Sequence, residues 1–399
     1  MSRLIRLDEA LALETAREYG TEKQLEALDA LLEHRNFKDA ARSIGLSRSA
    51  FKDRLTCMGK KAAAGGHAPV SNMVRERTPP GFVVKGTSTL YGAEGDTKIQ
   101  WIKTERAKEE MLADLVTAMK GAFEDYDGKA PRIPGPRRSY EDLLAVITQG
   151  DPHYGMHAWG ALSGEDFDLD KAVSVMRGCV DELVEYAPPA KTCIVANMGD
   201  LMHADNKAGT TTRGTPVDTD TRWAKVYKAT IMSQIWCVQR ALEKFEHVHV
   251  KNLIGNHDGH VAVTMSVGMK LYFSYNPRVT VDETPGLYNY YRHGRCLLGF
   301  HHGHGAKPTN LDGIMSVDRA KDGGETRWRH WYTGHVHHDQ VKDLYGCKFE
   351  SVRTTAPQDG WHHGEGYRSD RDMKMDFWHT HAGRRARFWA KPELLKNGE

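Results

Sequence analysis

The sequence predicts an α/β protein: a four-layer α/β/β/α sandwich preceded by a small all-α N-terminal domain. Strand-like and helix-like segments alternate from residue 140 onward, the last third of the chain is richer in strands, and residues 22–61 carry only helical periodicity. Alternation places strands between helices, and the strand-rich end supplies a second sheet. At 399 residues the chain is long enough for two domains.

Composition excludes several classes of protein. No stretch approaches the roughly 18 apolar residues that a membrane span requires. The N-terminal segment includes Asp8, Glu9 and Glu14 and has no apolar core of signal-peptide length, so we expect a cytoplasmic chain that is neither exported nor in a membrane. The six cysteines are widely spaced without a Cys-x-x-Cys, which predicts reduced thiols. Net charge is +2, so any affinity for nucleic acid must be local.

Residues 1–61 are predicted to form a helical module. Apolar residues recur at helical spacing from Leu25 to Leu32, and Gly45 interrupts a second helix. Ser47 is placed to cap the next helix, which runs through Phe51. This arrangement resembles a helix-turn-helix, whose second helix would enter a DNA major groove.

The helical module is locally basic. From residue 35 to 61 there are eight Lys or Arg against two Asp, a local charge of +6, which suits phosphates. We therefore expect DNA contacts through Arg42, Arg48 and Lys52. The alternative is a dimerisation or docking module whose basic residues are simply solvated, and a homo-oligomer stays open.

Residues 62–139 are predicted to link the module to the rest of the chain. Gly and Pro residues mark residues 65–81, a β-rich run covers 82–91, and a turn at 92–96 precedes a strand through Trp101. A helix over 105–125 and a Pro-containing basic loop over 129–138 follow.

Residues 140–399 form the predicted second domain. Its first half alternates strands at 143–148, 192–197 and 248–254 with helices at 168–186, 222–245 and 260–272. Its second half holds predicted strands at 279–281, 296–300, 329–333, 349–354 and around 377–388.

Five short motifs follow predicted strands of this domain. They are Asp151-Pro-His153, Gly199-Asp200, Gly255-Asn-His-Asp258, His302-Gly-His304 and Gly334-His-Val-His337. Loops at the carboxyl ends of strands are where open α/β sheets collect ligands. Oxygen and imidazole donors without thiolate suit Mn²⁺, Fe²⁺ or Zn²⁺ rather than Ca²⁺ or a structural zinc.

The ordered set resembles the calcineurin-like metallophosphoesterase superfamily, whose pattern is Asp-x-His, Gly-Asp, Gly-Asn-His-Asp or Glu, His, and Gly-His-x-His. The resemblance covers about residues 143–340, with all five motifs in order. It implies two divalent metal ions, for which we expect Mn²⁺ first and leave Fe²⁺, Zn²⁺ and Mg²⁺ open. It implies a first ion held by Asp151, His153 and His337, a second held by Asn256, His302 and His335, and Asp200 bridging both.

The same resemblance implies a proton-handling histidine. His257 would face the scissile phosphate rather than bind metal, and Asp258 would orient it. Two cations about 4 Å apart lower the pKa of a bridging water, so that hydroxide forms near neutral pH and attacks the ester. A nearby imidazole can then protonate the leaving oxygen.

Several other side chains are candidates for substrate contact. Either His302 or His304 could be the ligand of the fourth motif; spacing favours His302, which leaves His304 as a substrate contact. His203 is a candidate phosphate contact because it follows Asp200 closely. The loop 205–222 is long, polar and Gly-rich, which is typical of functional loops, and its Arg213 could meet a phosphate.

The metal motifs do not choose a substrate by themselves. The sequence looks most like the branch with DNA-repair exonuclease subunits and similar bacteriophage proteins, in which case the compartment would be the host cytoplasm. A DNA nuclease is therefore the leading hypothesis. A phosphomonoesterase or small-nucleotide phosphodiesterase is the alternative, and a non-catalytic DNA-binding regulator is a remote third.

Overall fold

The computed structural model describes residues 7–64, 82–91, 97–106 and 108–395. The chain divides into two compact units, Met1–Met111 and Leu112–Glu399. The predicted linker residues 65–81 and the predicted turn 92–96 lie outside the described residues. Within the described ranges, no helix is both long and apolar enough to cross a membrane.

The first unit begins with helical segments, some of which start at a side-chain cap. They are α1 (Leu7–Leu11), a 3₁₀ segment (Ala12–Tyr19), α2 (Glu22–His34), α3 (Phe37–Ser43) and α4 (Arg48–Ala64). At the start of α2, Gln24 Oε1 accepts the backbone N–H of Thr21 at 3.0 Å. At the start of α3, Asn36 Oδ1 accepts two backbone N–H groups at 2.8 and 3.1 Å. Such caps satisfy N–H groups that have no partner inside the helix.

The turn between α3 and α4 matches the sequence prediction. Gly45 has a φ of 69°, a left-handed conformation that glycine adopts without strain. Ser47 Oγ accepts the backbone N–H of Ala50 at 3.2 Å, as expected of a capping serine. Leu28 and Phe51 are fully buried in one apolar cluster. The predicted interruption between two helices at Gly45 is therefore confirmed, whereas the DNA contact stays a prediction.

A hairpin completes the first unit. Strands β1 (Phe82–Tyr91) and β2 (Thr97–Arg106) pair antiparallel, which confirms the predicted hairpin. Helix α5 (Lys108–Ala122) follows, shorter than the predicted 105–125.

The second unit contains a six-stranded sheet in the order β13-β12-β3-β4-β5-β6. Strands β3 to β6 run parallel, and β12 and β13 are antiparallel to their neighbours. The strands are β3 (Tyr140–Gln149), β4 (Ala190–Asn197), β5 (His247–Asn252), β6 (Val279–Val281), β12 (Met373–His379) and β13 (Gly383–Ala390).

A five-stranded sheet lies in the same unit, in the order β10-β11-β9-β8-β7. Its central pairs β11–β9 and β9–β8 are parallel. The strands are β7 (Asn289–His293), β8 (Cys296–His301), β9 (Trp328–Thr333), β10 (Gln340–Asp343) and β11 (Lys348–Ser351).

Helices fill the connections of this unit. They are α6 (Gly160–Ser163), α7 (Leu169–Tyr186), α8 (Trp223–Lys244), α9 (Gly259–Tyr272), α10 (Leu311–Asp318), α11 (Ala320–Glu325) and α12 (Gly360–Gly364).

Alternating side chains on β3 show how the layers stack. Ala145 and Ile147 belong to the apolar core shared with α7 and α8. Leu144 and Val146 point the other way, into a cluster that includes Phe300 of the second sheet. Because side chains alternate across a strand, the first sheet has helices on one face and the second sheet on the other.

The second sheet is covered in the same way. Leu297 and Trp331 pack with Leu311 and Met315 of α10. Trp331 Nε1 donates to the backbone carbonyl of Leu311 at 2.9 Å. The unit is thus the predicted four-layer α/β/β/α sandwich.

Some elements differ from the prediction. Strand β10 is exposed along its whole length and β7 is mostly half-exposed, so neither shows the apolar alternation that marks a strand. The predicted stretch around 377–388 is two antiparallel strands that turn at Gly383, which has a φ of 72°.

Candidate metal centre

The five motifs lie close together because the carboxyl ends of the strands that precede them meet at one edge of the two sheets. They follow the carboxyl ends of β3, β4, β5, β8 and β9, as the sequence predicted. Parallel pairing of β3–β4–β5 and of β8–β9 brings those ends together within each sheet. The site is therefore assembled from loops between the two sheets rather than from one element.

The backbone is left-handed at most of the predicted ligands. Six non-glycine residues in the described part of the chain have a positive φ, and five of them are predicted ligands. Such conformations cost on the order of 1–3 kcal/mol each and cluster at functional sites. The five are Asp151 (39°), His153 (48°), Asp200 (50°), His335 (72°) and His337 (58°).

Motif glycines allow ligand side chains to approach the backbone closely. A Cβ at Gly255 would lie 2.1 Å from Asp200 Oδ1, and one at Gly334 would lie 2.6 Å from Asp151 Oδ2. Both carboxylates are almost completely buried. A side chain at either glycine would therefore displace a predicted ligand.

The first donor group contains Asp151, His153 and His337, whose ligand atoms all lie within 4.8 Å of one another. His153 Nε2 is 3.3 Å from His337 Nε2, and His337 Nε2 is 3.6 Å from Asp151 Oδ1. The Asp151 carboxylate accepts the backbone N–H of His335 at 3.0 Å, which fixes its orientation.

The second donor group contains Asp200, His302 and His335. His302 Nε2 lies 3.2 Å from Asp200 Oδ2 and 3.1 Å from Asn256 Oδ1. His302 Nδ1 donates to the backbone carbonyl of Met198 at 2.8 Å, which leaves Nε2 to face the donor group. The structure thus brings Asn256 to the place expected of it.

The charges of Asp200 and His302 in this group depend strongly on each other. Burial would raise the pKa of Asp200, but the nearby His302, followed by His257, brings it well below its usual value. Burial would lower the pKa of His302, yet the carboxylates of Asp200 and Asp151 raise it to about 10. A cation bound here would replace the proton of His302, because a ligating imidazole must be neutral.

His257 is held by the backbone rather than by its neighbour Asp258. Its Nδ1 lies 2.8 Å from the carbonyl oxygen of His203. The buried Asp258 carboxylate instead accepts the backbone N–H groups of Asp200, Met202 and Gly255 at 3.1 to 3.2 Å. The expected role of Asp258 in orienting the ring of His257 is therefore corrected: its carboxylate joins the second and third motif loops through these three hydrogen bonds.

His203 lies deeper than a surface phosphate contact would. It is 2% exposed, its Nδ1 is 3.2 Å from His153 Nδ1, and its ring stacks on His257 at 5.2 Å. Its Nε2 is buried without a hydrogen-bond partner among the described residues. His153, His203 and His257 also form a group of donors within 4.8 Å.

The remaining candidates lie farther out. The ring of half-exposed His304 lies 5.2 Å from that of His302, and His304 joins none of the donor groups found among the described residues, so the geometry favours His302. Arg213 is exposed on its loop. In the first unit, Arg42 and Arg48 are exposed, and the ammonium of Lys52 lies 4.3 Å from the ring centroid of Phe37.

One segment near the site lies outside the five motifs. Strand β11 ends at the same edge, and Thr354 Oγ1 donates to the carbonyl of Asp151 at 2.7 Å. The ring of His362 on α12 stacks on His337 at 5.0 Å. The parallel pairing of β11 with β9 was the missing signal, because sequence alone does not give the order of strands.

No protein-family model and no curated protein matches the sequence. A Vps29 mutant from Entamoeba histolytica is similar in structure at 12% identity, covering 62% of this chain and 98% of its own, with a TM-score of 0.26. A protein described as a novel archaeal phosphodiesterase reaches 10% identity, coverage of 62% and 99%, and a TM-score of 0.31. The 5'-nucleotidase from Candida albicans SC5314 reaches 9%, 65% and 54%, and 0.30.

Proposed function

We propose that this chain is a calcineurin-like metallophosphoesterase that hydrolyses phosphodiester bonds with two divalent ions, and that DNA is its substrate. One observation carries the proposal. Five loops from two sheets bring seven oxygen and imidazole donors to one edge, five of them on a left-handed backbone.

The donor atoms have the spacing that cations require. Two donors each about 2.1 Å from one ion lie roughly 3.0–3.4 Å apart at octahedral or tetrahedral angles. The pairs His153–His337 at 3.3 Å, His302–Asp200 at 3.2 Å and His302–Asn256 at 3.1 Å fit that spacing. Two imidazole nitrogens repel each other when their lone pairs face. The close approach of His153 Nε2 and His337 Nε2 therefore requires a proton or a cation between them.

Two ions would divide these residues between them. Asp151, His153 and His337 would hold one, and Asn256, His302 and His335 the other. When bound, the ions would supply positive charge for the phosphate and a water of lowered pKa as the nucleophile. Mn²⁺ is the ion we propose for both positions, since the carboxylate and amide oxygens of the set suit it.

His257 would handle the proton of the leaving group. Its Nδ1–H donates to the carbonyl of His203, so a second proton must be carried on Nε2. His257 is half-exposed at the same edge, beside His153 at a ring distance of 4.9 Å. Nε2 can therefore donate to a phosphate oxygen and then to the departing alkoxide.

The choice of DNA rests on the first unit. Its α3–turn–α4 arrangement with exposed Arg42 and Arg48, and a local charge of +6, suits a duplex backbone. The same metal chemistry would serve a phosphomonoester or a small nucleotide diester, so the substrate needs a direct test.

The test uses the full chain loaded with Mn²⁺ and four substrates: linear duplex DNA, circular single-stranded DNA, bis(p-nitrophenyl) phosphate and p-nitrophenyl phosphate. We expect cleavage of at least one of the two DNA substrates and of the diester, and a loss of about 10²–10⁴-fold in kcat for His257→Ala. The control is His381→Ala, because His381 is exposed just past β12, whose end pairs with the start of β3 at the opposite edge of the sheet.

Each other result has a definite meaning. Cleavage of the diester without either DNA would contradict the nuclease assignment and favour a small-nucleotide phosphodiesterase. Turnover of the monoester alone would indicate a phosphomonoesterase. No turnover of any substrate would refute the enzyme.

A further inference from the structure

A pair of exposed aromatic rings lies beside the candidate metal centre. Trp361 on α12 is 62% exposed and Tyr367 is 48% exposed. Their rings stack, with centroids 5.7 Å apart and planes inclined by 27°. Exposed single rings are common on protein surfaces, whereas two stacked rings form one contiguous apolar surface.

A chain of ring contacts joins this pair to a proposed metal ligand. The ring of His362 stacks on that of His337 at 5.0 Å and 23°. Trp361 then meets His362 edge-on at 4.9 Å. The aromatic pair is thus separated from a ligand of the first ion by a single imidazole.

The segment that carries the pair is held in place by side chains. Asp359 accepts the backbone N–H of His362 at 2.8 Å and lies 2.7 Å from His362 Nδ1. Arg368 donates to Gln358 Oε1 at 2.9 Å, and Gln358 Nε2 donates to the carbonyl of Ser163 at 2.7 Å. A surface fixed in this way loses little freedom when a ligand binds.

More apolar surface adjoins the pair. Trp159, just before α6, is 64% exposed, and Leu162 on α6 is 51% exposed. A Cβ at Gly360 would lie 3.0 Å from Leu162 Cδ2, so α6 and α12 are in contact. Apolar surface beside a site built of carboxylates and imidazoles suits a ligand that carries both a charged group and a flat apolar group.

We propose that Trp361 and Tyr367 bind the nucleobase next to the phosphate at the metal centre, and that the strand cleaved there is single-stranded DNA. This inference rests on the proposed phosphodiesterase function. A nucleotide joins the two required chemistries, since its phosphate suits the donor groups and its base has an aromatic face. Stacking requires an unpaired base, because a base within a duplex is already covered on both faces.

The test measures the affinity of the full chain, without added metal, for a four-nucleotide thymidylate strand and for an abasic strand of equal length. We expect Trp361→Ala to weaken binding of the thymidylate strand about 5- to 150-fold, the range of one stacked base. Trp361→Phe should restore most of that affinity. The abasic strand should bind the wild type more weakly and should be indifferent to Trp361→Ala.

Trp389→Ala is the matched control. Trp389 is 53% exposed on β13, and its loss should not change either affinity. Thermal unfolding of each variant shows whether the fold is retained. Equal affinity of wild type and Trp361→Ala for the thymidylate strand would overturn the proposal, as would an equal loss of affinity for the abasic strand.

The two proposals fail in different ways. The wild type could bind strands through their bases and yet cleave no phosphodiester at any metal concentration. That result would support the stacking surface and refute the phosphodiesterase function. Wild type and Trp361→Ala could instead cleave DNA with the same kcat/KM. That result would support the phosphodiesterase function and refute the stacking surface.

Discussion

The carboxylate of Asp258 accepts the backbone N–H of Asp200 at 3.2 Å, so one buried acid holds the loop of another. The same carboxylate accepts the N–H groups of Met202 and Gly255. Asp258→Ala should lower the free energy of unfolding by at least about 2 kcal/mol, because three buried donors lose their acceptor. It should also reduce metal content, since Asp200 loses its support.

Urea unfolding and metal analysis of purified protein check this prediction. Asp168→Ala is a matched control: its carboxylate caps α7 by accepting the N–H of Lys171 at 2.8 Å. That loss should cost about 1 kcal/mol and leave metal content unchanged. Full metal content in Asp258→Ala would contradict the role given to the buried acid.

Gly255→Ala should remove metal binding without removing any ligand. The added Cβ would lie 2.1 Å from Asp200 Oδ1 and 2.2 Å from its backbone nitrogen, so Asp200 has to move. We expect a loss of about 1–3 kcal/mol in unfolding free energy as well. Gly313→Ala in α10, where nothing lies within 4 Å, should instead stabilise by about 0.5–1 kcal/mol. Metal content and thermal unfolding of both variants decide it; wild-type metal content in Gly255→Ala would count against the site.

Metal stoichiometry after Mn²⁺ loading should distinguish the two histidines of the fourth motif. His302→Ala should lose one ion per chain, whereas His304→Ala should keep both, because only His302 faces Asp200 and Asn256. Asp200→Ala should lose both ions and so be more damaging than His153→Ala. Equal losses in the His302 and His304 variants would show that the ligand set is wrong.

Stability should depend on pH through His260. The hydrogen bond of His260 to Asp205 raises the pKa of this histidine above its ordinary value of 6.5. A raised folded-state pKa contributes stability that is present below pH 6.5 and is lost as pH rises through the folded-state pKa. Because His260 is half-exposed, solvent screening keeps the contribution below about 1 kcal/mol.

Urea midpoints of wild type and His260→Gln at pH 5.5 and pH 9 measure that contribution. The difference between the two proteins should be larger at pH 5.5 and should shrink at pH 9. In the variant, Asp205 can still accept the backbone N–H groups of residue 260 and Val261 at the start of α9, so the helix itself should persist. A difference that grows with pH would refute the assignment.

Duplex DNA binding should require the basic face of the first unit. Arg42→Ala combined with Arg48→Ala should weaken binding and lower the salt slope by about 0.9 for each phosphate that the variant no longer neutralises. Arg17→Ala is the control, since that guanidinium is already paired with Asp29 at 2.7 Å. Titrations at several salt concentrations measure both quantities, and an unchanged slope in the double variant would remove the module from DNA binding.

Periodicity and spacing predicted what depends on local sequence. Short, nearly uninterrupted apolar runs located β3, β4 and β8, and the residues after each strand identified Asp151, Asp200 and His302. The sequence pattern did not predict β10, because this exposed strand is defined by its pairing with β11 and not by burial.

Contacts between distant segments were not predictable in the same way. The family resemblance implied that Asp258 orients His257, yet the hydrogen-bond partners of Asp258 include Asp200 and Met202 from another loop. Likewise, nothing near Trp361 in sequence indicates that α12 lies against His337, since that proximity depends on the order of strands in the sheet.

The left-handed backbone at five ligand positions sets stability against function. Glycine adopts such angles without strain, so Gly at His153 or His337 would relax the apo chain while removing a donor. A protein that made no use of cations would therefore be more stable with different residues there. Metal binding should offset part of that backbone cost, because an ion that binds only the folded chain raises its free energy of unfolding as the ion concentration rises above Kd.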